Sequence, residues 1–186
     1  MTIIGITGSI ASGKSTVARL IAGNKHPLFN ADKVVLDLYK DNKFLKLLMK
    51  KLKLKDKKKI KQQLKLLIKK NKKTLTILES IIHPFVRKKM NKFLKIKSEI
   101  LILEIPLLIE KNLSKYFDKI VFIYTKKKLR LKRYLVRNND KLFFEILDKR
   151  QLSPIIKQKS CDYVVKNNHS LAILKKSVKK FIKIYE

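Results

Sequence analysis

The chain has 186 residues, 45% of them hydrophobic, with 47 Lys+Arg against 14 Asp+Glu and a formal net charge of +33. That length and apolar content support one buried domain and argue against intrinsic disorder. The single cysteine, Cys161, excludes an intramolecular disulfide framework and suits a reducing compartment. No apolar run reads as a secretory leader or a bilayer span, so a cytoplasmic protein without membrane association is expected.

In chain order, TIIGIT (2–7) is a β-branched run suited to a buried parallel strand. A glycine loop follows at 8–13, then a helix over 15–22 with Val17, Leu20 and Ile21 on one side. Gly23, Asn24 and Pro27 end that helix. A brief strand at 27–30 leads to a helix from about Asp32, whose carboxylate suits a helix N-terminus. From 43 to 97 the chain has no glycine, and Leu and Ile recur at helical spacing, predicting two or three amphipathic helices. His83-Pro84 is expected to interrupt them, because proline disfavours helical backbone at the residue before it. EILILEI (99–105) and KIVFIYT (119–125) read as buried strands, with helices at 126–138 and 140–150. DYVVKN (162–167) reads as a last strand and 170–185 as a closing amphipathic helix. Strands alternating with helices imply a parallel α/β sheet.

The basic excess invites a nucleic-acid reading, because clustered cations displace counterions from phosphates. Only six of the 47 basic residues are arginine, however, and the lysines come with abundant Ile and Asn and little Gly, Pro or Trp. That is the bias of AT-rich coding at tolerant surface positions. Sequence-reading and base-stacking surfaces favour Arg and aromatics, so nucleic acid is not expected as a specific partner.

The segment Gly8-Ser9-Ile10-Ala11-Ser12-Gly13-Lys14-Ser15 matches the phosphate-binding loop, with a strand before it and a helix after. Successive backbone N–H groups would face phosphate oxygens, Lys14 would supply a mobile charge, and the Ser15 hydroxyl would ligate Mg²⁺. Thr16 reads as packing or capping. The absence of glycine after Gly23 removes the Asp-x-x-Gly switch of a GTPase, and no Asn-Lys-x-Asp guanine reader is present. A small phosphotransferase remains, needing a carboxylate at the acceptor and cations over the transferring phosphoryl group. Asp32 follows the second strand. Arg133 and Arg137 share a helix face at i, i+4 in a chain that otherwise uses lysine.

These residues resemble the dephospho-coenzyme A kinase family. The resemblance runs through IGITGSIASGKSTVA (4–18), NADKVV (30–35), IIHPFVR (81–87), EIPLLIE (104–110), LKRYLVR (131–137) and QLSPIIKQKSCDYVVKN (151–167). It implies a three-layer α/β/α P-loop kinase fold with a parallel five-stranded sheet, a helical acceptor-binding insert at 40–97 and a lid at 137–158. It also implies transfer of the γ-phosphate of ATP, with Mg²⁺, to the 3′-hydroxyl of dephospho-CoA. By the same resemblance Asp32 is the catalytic carboxylate, acting with Lys14 and Arg137. Gly8, Ser9, Ala11, Ser12, Gly13, Lys14, Ser15 and Thr16 would hold ATP with Arg133, Arg137 and Asn167, the last near the adenine end. His83, Arg87, Pro106 and Leu107 would join Asp32 around the acceptor, although 106–108 also reads as structural. Glu104 would meet the metal through water, and a monomer is expected.

Departures from the family pattern are Ser9 and Ala11 where glycines are usual, Asn30 in place of the first Asp of Asp-Ala-Asp, and Arg130 where glutamine is usual. An Ala at a position needing positive φ would be strained. Asn30 would weaken metal binding if the first Asp helps hold Mg²⁺ water. Two other readings stay open at this point: another small-molecule P-loop kinase, or a basic nucleic-acid-binding protein switched by a nucleoside triphosphate.

Overall fold

The opening β-branched run forms strand β1 (Thr2–Gly8), the middle of a parallel five-stranded sheet. The computed structural model describes residues 1–185. The remaining strands are β2 (Leu28–Asn30), β3 (Ile100–Glu104), β4 (Lys119–Tyr124) and β5 (Tyr163–Lys166), in spatial order β2-β3-β1-β4-β5. Register pairs Ile6 with Glu104 and with Val121, and Asn30 with Glu104. The carboxyl ends of β1, β2 and β3 therefore finish at one edge. The strands read as unbroken apolar runs because both faces of the sheet are covered.

The helices are α1 (Lys14–Ala22), α2 (Ala31–Leu38), α3 (Asn42–Leu52), α4 (Ile60–Lys70), α5 (Lys73–Phe93), α6 (Lys127–Asn138), α7 (Lys141–Lys149), α8 (Pro154–Lys159) and α9 (Leu171–Tyr185). On one face of the sheet Ile4, Ile6, Ile102, Val121, Ile123 and Val165 pack against Val17, Ala18 and Ile21 of α1 and Leu174, Val178 and Phe181 of α9. Each such side chain contributes about 1.5–3 kcal/mol when fully buried. On the other face α8 packs against β4 and Leu108 is buried, giving three α/β/α layers.

The chain divides into two compact units, Met1–Asn30 with Ile96 onward, and Ala31–Lys95. The second is all-helical and takes in α2 as well as α3–α5. Its core is Phe44, Leu45, Leu48, Ile60, Leu64, Ile68, Leu78, Ile82 and Met90. Phe44 sits edge-on to both Tyr39 and Phe85, at centroid distances of 5.8 and 5.4 Å. The Asp41 carboxylate caps α3 by accepting from the Lys43 and Phe44 N–H groups.

One local expectation is corrected and one element is added. His83-Pro84 does not interrupt the helical stretch: α5 runs unbroken through Pro84. Proline removes one N–H donor and crowds the preceding turn. Burial of Thr74, Leu78, Ile82 and Met90 along one side of the 21-residue helix outweighs that loss, and Pro84 itself faces outward. The short helix α8 was not anticipated. Its signal is present in the sequence: Ser153 caps it, accepting from Ile156 N–H at 3.3 Å, and Pro154 occupies its first position.

Candidate active site

The loop between β1 and α1 is held from several sides. Gly13 has φ 90°, and a Cβ there would lie 2.3 Å from Asn167 Nδ2, so both backbone and space demand glycine. Inside the loop Ser12 N–H donates to Ser9 O at 3.1 Å. The Ser12 carbonyl accepts from Asn167 Nδ2 at 2.8 Å and from Thr125 Oγ1 at 2.9 Å. Asn167, just past β5, is thus seated against the loop. Ala11 adopts φ 58°, the left-handed region anticipated as a source of strain. Lys14 is 7% exposed and its Nζ donates to Ser9 O at 3.1 Å, curling its charge over the turn.

At the end of β3, Glu104 is only 1% exposed. Its Oε1 accepts from the Ser15 hydroxyl at 2.7 Å, and its Oε2 accepts from Asn30 Nδ2. The parallel register of β2 on β3 sets Asn30 directly beside Glu104. Asn30 therefore acts as a donor that orients this carboxylate. Ser15 and Glu104 offer hard oxygens, the donor type that Mg²⁺ takes alongside phosphates and water. Among the described residues no group of three His, Cys, Asp or Glu could hold a metal by itself. The oxygens present fit an ion bound chiefly through a nucleotide.

Two arginines of α6 reach the loop. Arg133 Nη2 donates to Asn167 O at 3.2 Å, while its Nη1 is buried and has no hydrogen-bond partner among the described residues. That Nη1 lies 3.9 Å from where a Cβ on Gly13 would stand. A buried, unsatisfied guanidinium nitrogen is costly unless an anion meets it. Arg130 Nε donates to Thr125 O at 3.1 Å and its Nη1 pairs with Asp148 Oδ1 at 2.5 Å. Arg137, in the last turn of α6, is exposed and is not drawn into this cluster.

Beyond α7 the chain is pinned back on the sheet. Lys157 of α8 is fully buried, with Nζ 2.7 Å from Glu110 Oε1 and 3.2 Å from Pro106 O. Burial pulls the Lys157 ammonium below the usual lysine range, against the opposing pull of Glu110. Pro106 O also accepts from Thr7 Oγ1 at 3.1 Å, which gives this proline a structural task; Leu107 beside it is half-buried. Burial pushes the nearby Cys161 thiol up to about 12.

In the helical unit, Asp32 is exposed in the first turn of α2, two residues past Asn30 in the chain. His83 and Arg87 are one turn apart on α5. With Ser80, Pro84, Lys88 and Asn91 they line a groove of about 510 Å³. Arg130, Thr125 and Gln151 were not singled out from the sequence as site residues. Arg130 stood out in the sequence only as an arginine in a lysine-dominated chain, at a position where the family usually has glutamine.

A dephospho-CoA kinase family model matches residues 2–172. The dephospho-CoA kinase of Fusobacterium nucleatum is 33% identical over 190 residues, covering 96% of each chain. The solved dephospho-CoA kinase from Campylobacter jejuni aligns with a TM-score of 0.66 and 29% identity over 98% of this chain and 96% of that one. The Thermus thermophilus structure TT1252 aligns with a TM-score of 0.78 and 26% identity over 100% and 98%. With a phosphate-binding loop at the carboxyl edge of a parallel sheet, a buried carboxylate beside its serine and a family match over nearly its whole length, the chain belongs to the dephospho-CoA kinase family.

Proposed function

We infer that the chain carries out its family's reaction, ATP-dependent phosphorylation of the ribose 3′-hydroxyl of dephospho-CoA to give CoA and ADP, the last step of coenzyme A biosynthesis. The family match over residues 2–172 carries this reading. The loop geometry supports ATP as the phosphoryl donor. Residues 8–16 and Lys14 would bind its phosphates, and the buried, unsatisfied Arg133 Nη1 supplies charge toward them. Mg²⁺, held by Ser15 directly and Glu104 through water, would supply positive charge that offsets the phosphates. Asp32 orients the 3′-hydroxyl and takes its proton; positioning matters more than base strength in phosphoryl transfer. His83, Arg87 and Leu107 belong to the acceptor's surroundings, with the helical insert at 40–97 as its platform.

Residues 137–158 serve as the lid: its first part brings Arg137 toward the phosphates and excludes water, while its end from Gln151 onward is anchored on the loop and the sheet. No helix among the described residues is long and apolar enough to cross a membrane. The reading takes the enzyme to act as a cytoplasmic monomer. The test is ADP release from Mg-ATP with dephospho-CoA, beside adenosine, AMP, shikimate and no acceptor. Turnover with dephospho-CoA alone is expected. Turnover with a different acceptor would keep the kinase and reject the substrate. The nucleic-acid alternative requires ATP-responsive, salt-dependent binding to RNA or DNA, measured on the same protein.

A further inference from the structure

The apex of the phosphate-binding loop, Ile10, is clasped by the segment that follows α7. Ile10 N–H donates to Gln151 Oε1 at 2.7 Å, and the Ile10 carbonyl accepts from Arg130 Nη1 at 3.4 Å. These two groups belong to successive peptide planes, so each plane flanking Ile10 has its own tether. In a trans peptide the N–H of the next residue points opposite to the carbonyl. Drawing the Ile10 carbonyl toward Arg130 therefore turns the Ala11 N–H the other way.

The tethers are themselves fixed. Arg130 is 3% exposed, is bonded to Thr125 O and Asp148, and stands 5.7 Å from the Phe144 ring centroid. Leu152, next to Gln151, donates its N–H to Glu110 Oε1 at 2.9 Å, the same oxygen that pairs with buried Lys157. Position 151 is thus braced on both sides along the chain, by Asp148 and by Leu152. A glutamine on such a braced segment holds the loop at little entropic cost when a ligand binds.

We propose that Gln151, working with Arg130, is a positioning residue that fixes the loop apex in its anion-accepting shape, so that ATP affinity is set from the segment closing the lid. This rests on the reading of residues 8–16 as the ATP site. Nothing in it requires Gln151 to touch ATP.

The test compares the whole chain with Gln151→Leu, which removes the acceptor, and Gln151→Glu, which keeps one. Mg-ATP binding is measured by calorimetry without acceptor, Ile10 amide exchange by NMR, and KM separately for ATP and dephospho-CoA. Loss of this partly buried acceptor is expected to weaken ATP by about tenfold in Gln151→Leu. Ile10 exchange should accelerate, with the KM for dephospho-CoA held and the melting temperature lowered by no more than the loss of one hydrogen bond. Gln151→Glu should restore Ile10 protection and most of the lost ATP affinity. Unchanged ATP binding in Gln151→Leu would overturn the proposal, as would equal losses for ATP and acceptor with a melting temperature lowered beyond that. A wild-type chain that binds ATP but does not phosphorylate dephospho-CoA would reject the substrate reading, and the calorimetric and exchange results would still decide the clasp.

Discussion

The Ser15 hydroxyl lies 2.7 Å from Glu104 Oε1, joining the first turn of α1 to the carboxyl end of β3. Glu104 is almost wholly buried, and its other oxygen is engaged by the Asn30 amide. A carboxylate held from both sides is preorganised and needs little rearrangement to act beside a metal–nucleotide complex.

Replacing Glu104 with Gln should therefore raise the Mg²⁺ concentration for half-maximal activity by about 10–100-fold, the usual consequence of losing an outer carboxylate. Asn30→Asp should do the reverse, sharpening the Mg²⁺ response. It also places two carboxylates together, which destabilises the metal-free protein. Magnesium titrations of activity, with melting curves taken with and without Mg-ATP, check both.

Asp32→Asn should lower kcat by about 10²–10⁴, the range for a general base, with little change in the KM for ATP. The measurement is steady-state kinetics with each substrate varied in turn. An equal rise in the KM for dephospho-CoA at unchanged kcat would instead mark Asp32 as a binding residue.

Arg133 holds Asn167 through Nη2 while its buried Nη1 stands unpartnered beside Gly13, so its geometry matters as well as its charge. Arg133→Lys should lose nearly as much as Arg133→Ala, about 10–10³-fold in kcat/KM, because lysine does not reproduce the guanidinium fork. Arg137→Ala should leave unliganded stability within about 0.5 kcal/mol, since the side chain is exposed, and act on turnover alone. Urea unfolding beside kinetics separates the two effects.

Ala11 occupies the left-handed region at φ 58°. Glycine there relieves about 1–2 kcal/mol of backbone strain and gives back about 0.4–1 kcal/mol through the freer unfolded chain. Ala11→Gly should accordingly stabilise the protein by roughly 0.5–1 kcal/mol, read as an increased denaturation midpoint with unchanged slope.

Cys161, pushed up to about 12 by burial, stays protonated at pH 8 in the folded protein. Thiol-modifying reagents should label it slowly in buffer and rapidly in denaturant. The sign for stability follows. The unfolded thiol ionises first, so this contribution is intact below the ordinary thiol range and declines as pH climbs toward the folded value. An alkaline melting series comparing wild type with Cys161→Ala checks it.

The phosphate-binding loop was legible in the sequence, for reasons of local chemistry. Gly13, Lys14 and Ser15 form a contiguous motif whose backbone turn and helix N-terminus are consecutive in the chain, so spacing suffices to recognise it. The strands were legible because a sheet covered on both faces writes unbroken apolar runs. The error at Pro84 came from the same locality: a proline's effect on its own turn is visible in sequence, whereas the packing of Leu78, Ile82 and Met90 that carries the helix across it is not.

The α/β class, the phosphate-binding loop and the family were legible in the chain alone, because apolar runs, turn residues and short motifs are each written in consecutive residues, and their order along the chain does the rest. Tertiary structure alone decided that Glu104 receives Ser15, that Asn30 donates to it and that Asn167 closes on Ser12. It alone brought Gln151 and Arg130 onto Ile10, across 141 and 120 positions of chain. Such contacts follow from strand order and from which helix covers which face. Those are set by the burial of the whole core, and no local spacing records them.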